Sequence, residues 1–104
     1  MTKILFSSPL KDIRGADIPG DDGKPRTMAD FCIDALTMNL PEPIPPTGEI
    51  KLKRFRLAEK IADAIVAIEL TAEDTVMLKS VVGIAFGPLV VGRVYGAIDP
   101  ACLK

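Results

Sequence analysis

The sequence of 104 residues contains no histidine and no tryptophan, and tyrosine occurs only once. Histidine is the commonest general base and the commonest metal ligand, so its absence excludes chemistry that depends on imidazole. The sequence also lacks a Walker A loop, a nucleophile elbow, a Cys/His zinc spacing and a Rossmann glycine pattern. We therefore expect a protein that is not an enzyme and that holds no cofactor and no metal ion.

An excess of positive charge is missing as well, since 13 Lys and Arg residues oppose 14 Asp and Glu residues. This balance argues against a nucleic-acid binder that works by overall electrostatics. The N-terminal hydrophobic run Ile4–Phe6 is too short for a secretion signal, and no hydrophobic run is long enough to span a membrane. We expect a cytoplasmic protein with no membrane partner.

Cysteine is scarce, with Cys32 and Cys102 as its two occurrences. Without an export signal, two separated cysteines are most simply reduced thiols. Cys32 stands between Phe31 and Ile33 in a predicted helix and is expected in the core. A disulfide between Cys32 and Cys102 stays open as the alternative.

Hydrophobic residues make up 48% of the chain, which suffices for the modest core of one domain spanning residues 1–104. The pattern predicts the α+β class, with a small N-terminal β-meander or hairpin packed on a bundle of about four helices. The expected parts are a β-hairpin region at 1–26, a helix within 27–39, a Pro-rich connector at 40–47 and a helical part at 48–104. Within them, helices are predicted at 28–38, 48–64, 72–86 and 88–98.

Threonine precedes three of these helices, at Thr27, Thr47 and Thr71, and an acid follows each within three residues. The hydroxyl of such a residue accepts an otherwise unpaired N–H, and the acid favours the positive end of the helix dipole. The segment Ala67–Leu70 is predicted to be extended and to pair with the N-terminal strands.

The second helix carries an apolar stripe that includes Ile50, Leu57 and Ile61 and is widened by Phe55. The connector before it has four prolines in the seven residues 40–46, which excludes helix and central strand. We interpret the connector as a stiff structural spacer, with a ligand for an SH3-type domain as the alternative.

Four acids lie in the predicted N-terminal turns, and turn formation explains them without a metal. Their spacing does not match an EF-hand loop, although Ca²⁺ or Mg²⁺ ligation is the alternative interpretation. The four are Asp12, Asp17, Asp21 and Asp22.

The second helix also carries the densest run of positive charge in the chain. We interpret it as a solvated face that suits an acidic protein partner, and the alternative is a nucleic-acid-binding regulator that uses the basic helix 51–60. The residues of this basic face are Lys51, Lys53, Arg54, Arg56 and Lys60.

The run from Val81 to Gly92 carries no charge and is divided by Pro88. It is too short to span a membrane, and a helix that is apolar on all sides must be buried. Because a small domain has little interior, the surplus predicts a homo-oligomer. Two Gly-x-x-x-Gly spacings, at 83–87 and 92–96, offer close approach to a second helix. The predicted oligomer interface is Val82, Phe86, Val90 and Val94.

The order of these features resembles that of small proteins encoded by tailed bacteriophages and prophages. The segments that carry the resemblance are Gly23–Pro25, Leu52–Ile61, Glu69–Asp74 and Pro88–Arg93. It implies an accessory protein that acts by contact with itself and with a larger phage or host protein, and it transfers no site residues. An enzyme of an unrecognised type stays open, and its marker would be a concave pocket with convergent polar groups.

Overall fold

A computed structural model of the chain describes residues 3–20, 23–64 and 66–99. Within these ranges the protein is an α+β structure dominated by helices, as the sequence predicts. The helix bounds fall within two residues of the predicted ones. The elements are β1 (Lys3–Ile4), α1 (Met28–Thr37), α2 (Gly48–Ala62), β2 (Ile68–Glu69), α3 (Ala72–Ala85) and α4 (Pro88–Ile98).

Side-chain capping fixes the starts of three helices. Thr27 accepts a hydrogen bond from the Asp30 N–H, and the Asp30 carboxylate accepts one from the Thr27 N–H. Thr71 and Asp74 form the same reciprocal pair at α3. Thr47 accepts a hydrogen bond from the third N–H of α2. These bonds satisfy N–H groups that have no partner inside the helix, which confirms the three predicted caps.

The two short strands form one antiparallel pair, in which Lys3 lies opposite Glu69. This confirms that the segment before α3 pairs with the N-terminus. Residues 9–20 and 23–27 instead form an irregular meander joined by isolated bridges, one of them between Pro19 and Pro25. A regular hairpin is prevented there because proline has no N–H to donate. Gly15, with φ of 87°, allows one of the tight turns.

One hydrophobic cluster contains buried residues from the N-terminal part and from all four helices. Phe6 of the segment after β1 is 1% exposed, and Leu78 of α3 is completely buried. Helix α1 lies at the centre of the arrangement and contacts both α2 and α3. The largest fully buried side chains are Phe6, Cys32, Ile61, Leu78, Val81, Val82 and Val94.

Hydrogen bonds join α4 to the meander and to α3. The Arg93 guanidinium donates to the carbonyl oxygens of Lys11 and Asp12 at 3.1 and 2.6 Å. The Tyr95 hydroxyl donates to the Lys79 carbonyl oxygen at 2.5 Å. Arg93 and Tyr95 therefore hold α4 against the meander and α3. Among the described residues, none of the helices combines the length and hydrophobicity that crossing a membrane requires.

The close approach of α3 and α4 gives a stability prediction at Gly83. A Cβ placed there would lie 2.7 Å from the Tyr95 hydroxyl oxygen. We expect Gly83→Ala to lower the free energy of unfolding by about 1–2 kcal/mol, because the clash outweighs the gain in helix propensity. Urea denaturation measures this change.

Two comparisons make that result specific to the Tyr95 contact. In a Tyr95→Phe background the hydroxyl is absent, so the same Gly83→Ala change should stabilise the protein. Gly92→Ala, in α4 at a site with no atom within 4 Å, should also stabilise it, by up to about 1 kcal/mol. Equal destabilisation by Gly83→Ala in both backgrounds would contradict the account.

Candidate protein interface

The residues of the predicted oligomer interface lie mainly inside the chain's own core. Val82 and Val94 are completely buried, and Phe86 and Val90 are half-buried against the same cluster. The Phe86 ring packs edge-on against the Phe31 ring of α1, with the ring centres 5.4 Å apart. These four residues therefore do not form the exposed face between copies that the sequence predicts. The chain turns at Gly87, so that α3 packs against both α4 and α1.

The residues of the predicted basic face do not share one environment. Lys53 pairs with Glu73 at 3.0 Å, and Lys60 pairs with Asp74 at 3.4 Å. These two pairs tie α2 to the first turn of α3. Arg54 points away from them, toward the connector.

Lys51 and Arg56 are the two remaining members of the basic face. Both are exposed, and neither has an acidic partner among the described residues. Three of the five predicted cations are thus already neutralised within the chain. A phosphate backbone would have to compete with those carboxylates, which weakens the case for a nucleic-acid surface.

The ion pair between Arg54 and Glu42 fastens the connector to α2. Two nitrogen–oxygen distances of 2.6 and 3.0 Å make the contact bidentate. The two side chains are only 11% and 13% exposed. Hydrogen bonding from Arg54 lowers the pKa of Glu42, although partial burial opposes the shift. The connector is therefore a fixed part of the fold, which favours the spacer interpretation of its prolines.

This ion pair gives a pH-dependent prediction. Because the folded pKa of Glu42 is lowered, the pair stabilises the protein above the unfolded pKa of about 4.3 and is lost as the pH falls through the folded value. We expect Glu42→Gln to unfold at lower urea than the wild type at neutral pH. The difference should narrow as the pH falls below about 4.3 and close only below the lowered folded pKa of Glu42.

Glu49→Gln is the matched control, since Glu49 is an exposed acid of the neighbouring helix α2 with no ion pair among the described residues. It should change the urea midpoint little at neutral or at low pH. A difference between Glu42→Gln and wild type that persists at low pH would contradict the role assigned to the Arg54 pair.

A groove of about 390 Å³ lies between the end of α1, the connector and α2. Three charged residues line it, and two of them, Arg54 and Glu42, are held by each other and so are not a free acid and base; the third is Lys51. Its remaining lining is largely apolar, which suits binding by hydrophobic contact. The apolar lining residues are Leu36, Met38, Leu40, Pro45, Pro46 and Phe55.

Helix α2 presents an apolar edge beside this groove. Leu52 is 49% exposed and Phe55 is 54% exposed, and the connector residue Ile44 is 83% exposed. Ile50 and Phe55, which the sequence places in one apolar stripe with Leu57 and Ile61, are therefore not core residues, since Ile50 is 40% exposed. Leu57 and Ile61 alone supply large core residues from this helix. Leu52 lies among the cations of the basic face, so its exposure was not predictable from the pattern of hydrophobic residues.

The predicted turn acids have local roles where the structure describes them. One carboxylate oxygen of Asp12 accepts hydrogen bonds from the N–H groups of Arg14 and Ala16, at 2.9 and 3.0 Å. Asp17 forms an ion pair with Lys11. Turn formation and ion pairing thus account for these two acids. Asp21, Asp22 and Cys102 lie outside the described residues.

Cys32 is fully buried as a free thiol, and burial raises its pKa to about 12. Because the thiolate is the reactive form, this cysteine should be inert in the folded protein. In a Cys102→Ser variant, we expect a thiol reagent to label native protein at least about 100-fold more slowly than urea-unfolded protein. Equal labelling rates in the two states would contradict the packed position of Cys32.

Comparisons of this chain with protein families, with characterised proteins and with solved structures found no match.

Proposed function

We propose that the chain is a non-enzymatic accessory protein of phage or prophage origin that works by self-association and by contact with a larger phage or host protein. The resemblance of four sequence segments to small phage proteins supports the origin. The cytoplasm is the proposed location. In this proposal the N-terminal meander serves as a packed cover on the helical bundle, and α2 carries the contact surface.

The observation that carries the proposal is the exposure of large apolar side chains on α2 and the connector. Leu52, Phe55 and Ile44 each keep about half or more of their surface in contact with solvent. Neighbouring exposed apolar residues beside an apolar groove are typical of protein-binding surfaces on soluble domains. The pairing of three of the basic-face cations inside the chain also favours a protein partner over a nucleic acid.

Light scattering coupled to size-exclusion chromatography tests self-association directly. We expect the weight-average mass to rise between about 5 μM and about 1 mM, as for an interface of small area. A constant monomer mass over this range would remove self-association from the proposal. A DNA titration at low salt examines the alternative, and tight binding that Lys51→Glu with Arg56→Glu abolishes would favour a nucleic-acid regulator instead.

A further inference from the structure

The exposed side of α2 carries a stripe of residues spaced alternately four and three apart. Its members are all exposed, and it runs along the whole helix between the groove on one side and α3 on the other. This spacing keeps side chains on one face of a helix and is the spacing of helix–helix seams. The stripe consists of Gly48, Leu52, Phe55, Glu59 and Ala62.

Two pairs of residues on or beside the stripe lie at equal distances from Phe55 along the helix. Lys51, which borders it, lies four residues before Phe55, and Glu59 lies four residues after. The small residues Gly48 and Ala62 lie seven residues away in the two directions. A Cβ at Gly48 would meet no atom within 4 Å, so the N-terminal end of the stripe is open to close approach.

We infer that the occupant of this stripe is a second copy of the chain, bound with its α2 antiparallel to the first and with the two Phe55 side chains at the twofold axis. This inference rests on the proposed self-association and names its surface. In that arrangement each Lys51 faces the partner's Glu59, and each Gly48 faces the partner's Ala62. The contact is thus self-complementary, as a twofold interface requires.

Charge fixes the direction of pairing. A parallel arrangement also brings the two Phe55 side chains together, but it sets Lys51 against Lys51 and Glu59 against Glu59. Like charges at a contact are unfavourable, so the antiparallel arrangement is the one that the residues support. Lys51 and Glu59 have no ion pair among the described residues of their own chain, which leaves both available.

The size of the seam predicts a weak dimer. One helix of 15 residues offers less area than a standard interface of about 1,600 Å². The adjoining connector, with Ile44 and the rim of the groove, adds apolar area at the edge of the contact. We therefore expect dissociation constants in the micromolar range and rapid exchange of subunits.

Charge reversal tested by sedimentation equilibrium examines the inference. Lys51→Glu and Glu59→Lys should each weaken the homodimer about 10-fold, because each places two like-charge pairs in the seam. A mixture of the two variants should associate about as strongly as the wild type, because opposite charges then meet again. Arg14→Glu and Glu49→Lys are matched controls for the change in net charge, and both lie off the stripe.

The outcomes separate the inference from the proposed function. A wild-type protein that stays monomeric overturns the self-association on which the inference depends. A wild-type dimer that Lys51→Glu leaves unchanged overturns the antiparallel seam alone. Recovery of association in the mixture supports the seam and also shows that both variants are folded.

Discussion

Val82→Asp should abolish folding, whereas Ile84→Asp, two residues away on α3, should leave a folded protein. Val82 is completely buried, but Ile84 is 38% exposed. An ionised carboxylate enclosed by apolar side chains has no partner, and we estimate a cost of about 4 kcal/mol or more. That is comparable with the total stability of a small domain, about 5–15 kcal/mol.

Circular dichroism and urea denaturation of the two variants measure this difference. The comparison also tests whether the apolar run of α3 and α4 forms the core of one chain or a surface between copies. If Val82 belonged to a surface between copies, Val82→Asp would give a folded monomer with normal secondary structure. That result would contradict the placement of this residue in the core of one chain.

Phe86→Ala has the next largest expected effect, a loss of about 2 kcal/mol of unfolding free energy. Phe86 is half-buried, and its ring meets the Phe31 ring at an interplanar angle of 82°. The substitution removes both apolar burial and an edge-to-face contact that is worth about 1 kcal/mol. Phe86→Leu retains most of the volume and should lose less.

The account further predicts that Phe86→Ala leaves self-association unchanged under conditions where the variant is folded. Sedimentation at low temperature, after folding has been checked by circular dichroism, separates the two properties. If Phe86→Ala weakened the dimer about 10-fold with no loss of unfolding free energy, Phe86 would instead belong to the oligomer interface.

Local signals in the sequence predicted the helices well because each start has its own chemistry. Thr27 and Thr71 each form a reciprocal cap with the aspartate three residues later, so the starts of α1 and α3 depend on four neighbouring residues. Pro88 marks the start of α4 for a similar local reason, since its fixed φ suits the first helical turn.

The contact surface was less predictable, because the exposure of each residue depends on which distant segments of the chain pack against it. The hydrophobic run after Val81 suggested a surface between copies, but Val82 and Val94 are completely buried in the chain, where α3 packs against both α4 and α1. The basic face looked continuous, yet Glu73 and Glu42 reach it from other segments. Pairings over 12 and 20 residues of chain have no local pattern in the sequence.

The exposed stripe on α2 is recognisable in the sequence by its spacing. Its alternating spacing of four and three residues around Phe55 differs in phase from the core positions Leu57 and Ile61. Helix α2 thus has two apolar faces, one buried in the core of the chain and one exposed. The sequence alone predicts one broad apolar stripe, because that is the simpler interpretation of the same residues.

Disulfide trapping between two variants, each with one introduced exposed cysteine beside the buried Cys32, tests most directly that α2 is the self-association surface. Lys51→Cys and Glu59→Cys, each made with Cys102→Ser, are mixed and oxidised mildly, and the dimers are separated by mass. The account predicts that the mixed disulfide exceeds its statistical share and forms faster than any dimer of Ile13→Cys, whose site is 82% exposed on the meander. Linked homodimers of Lys51→Cys, or rates no greater than those of Ile13→Cys, would contradict it.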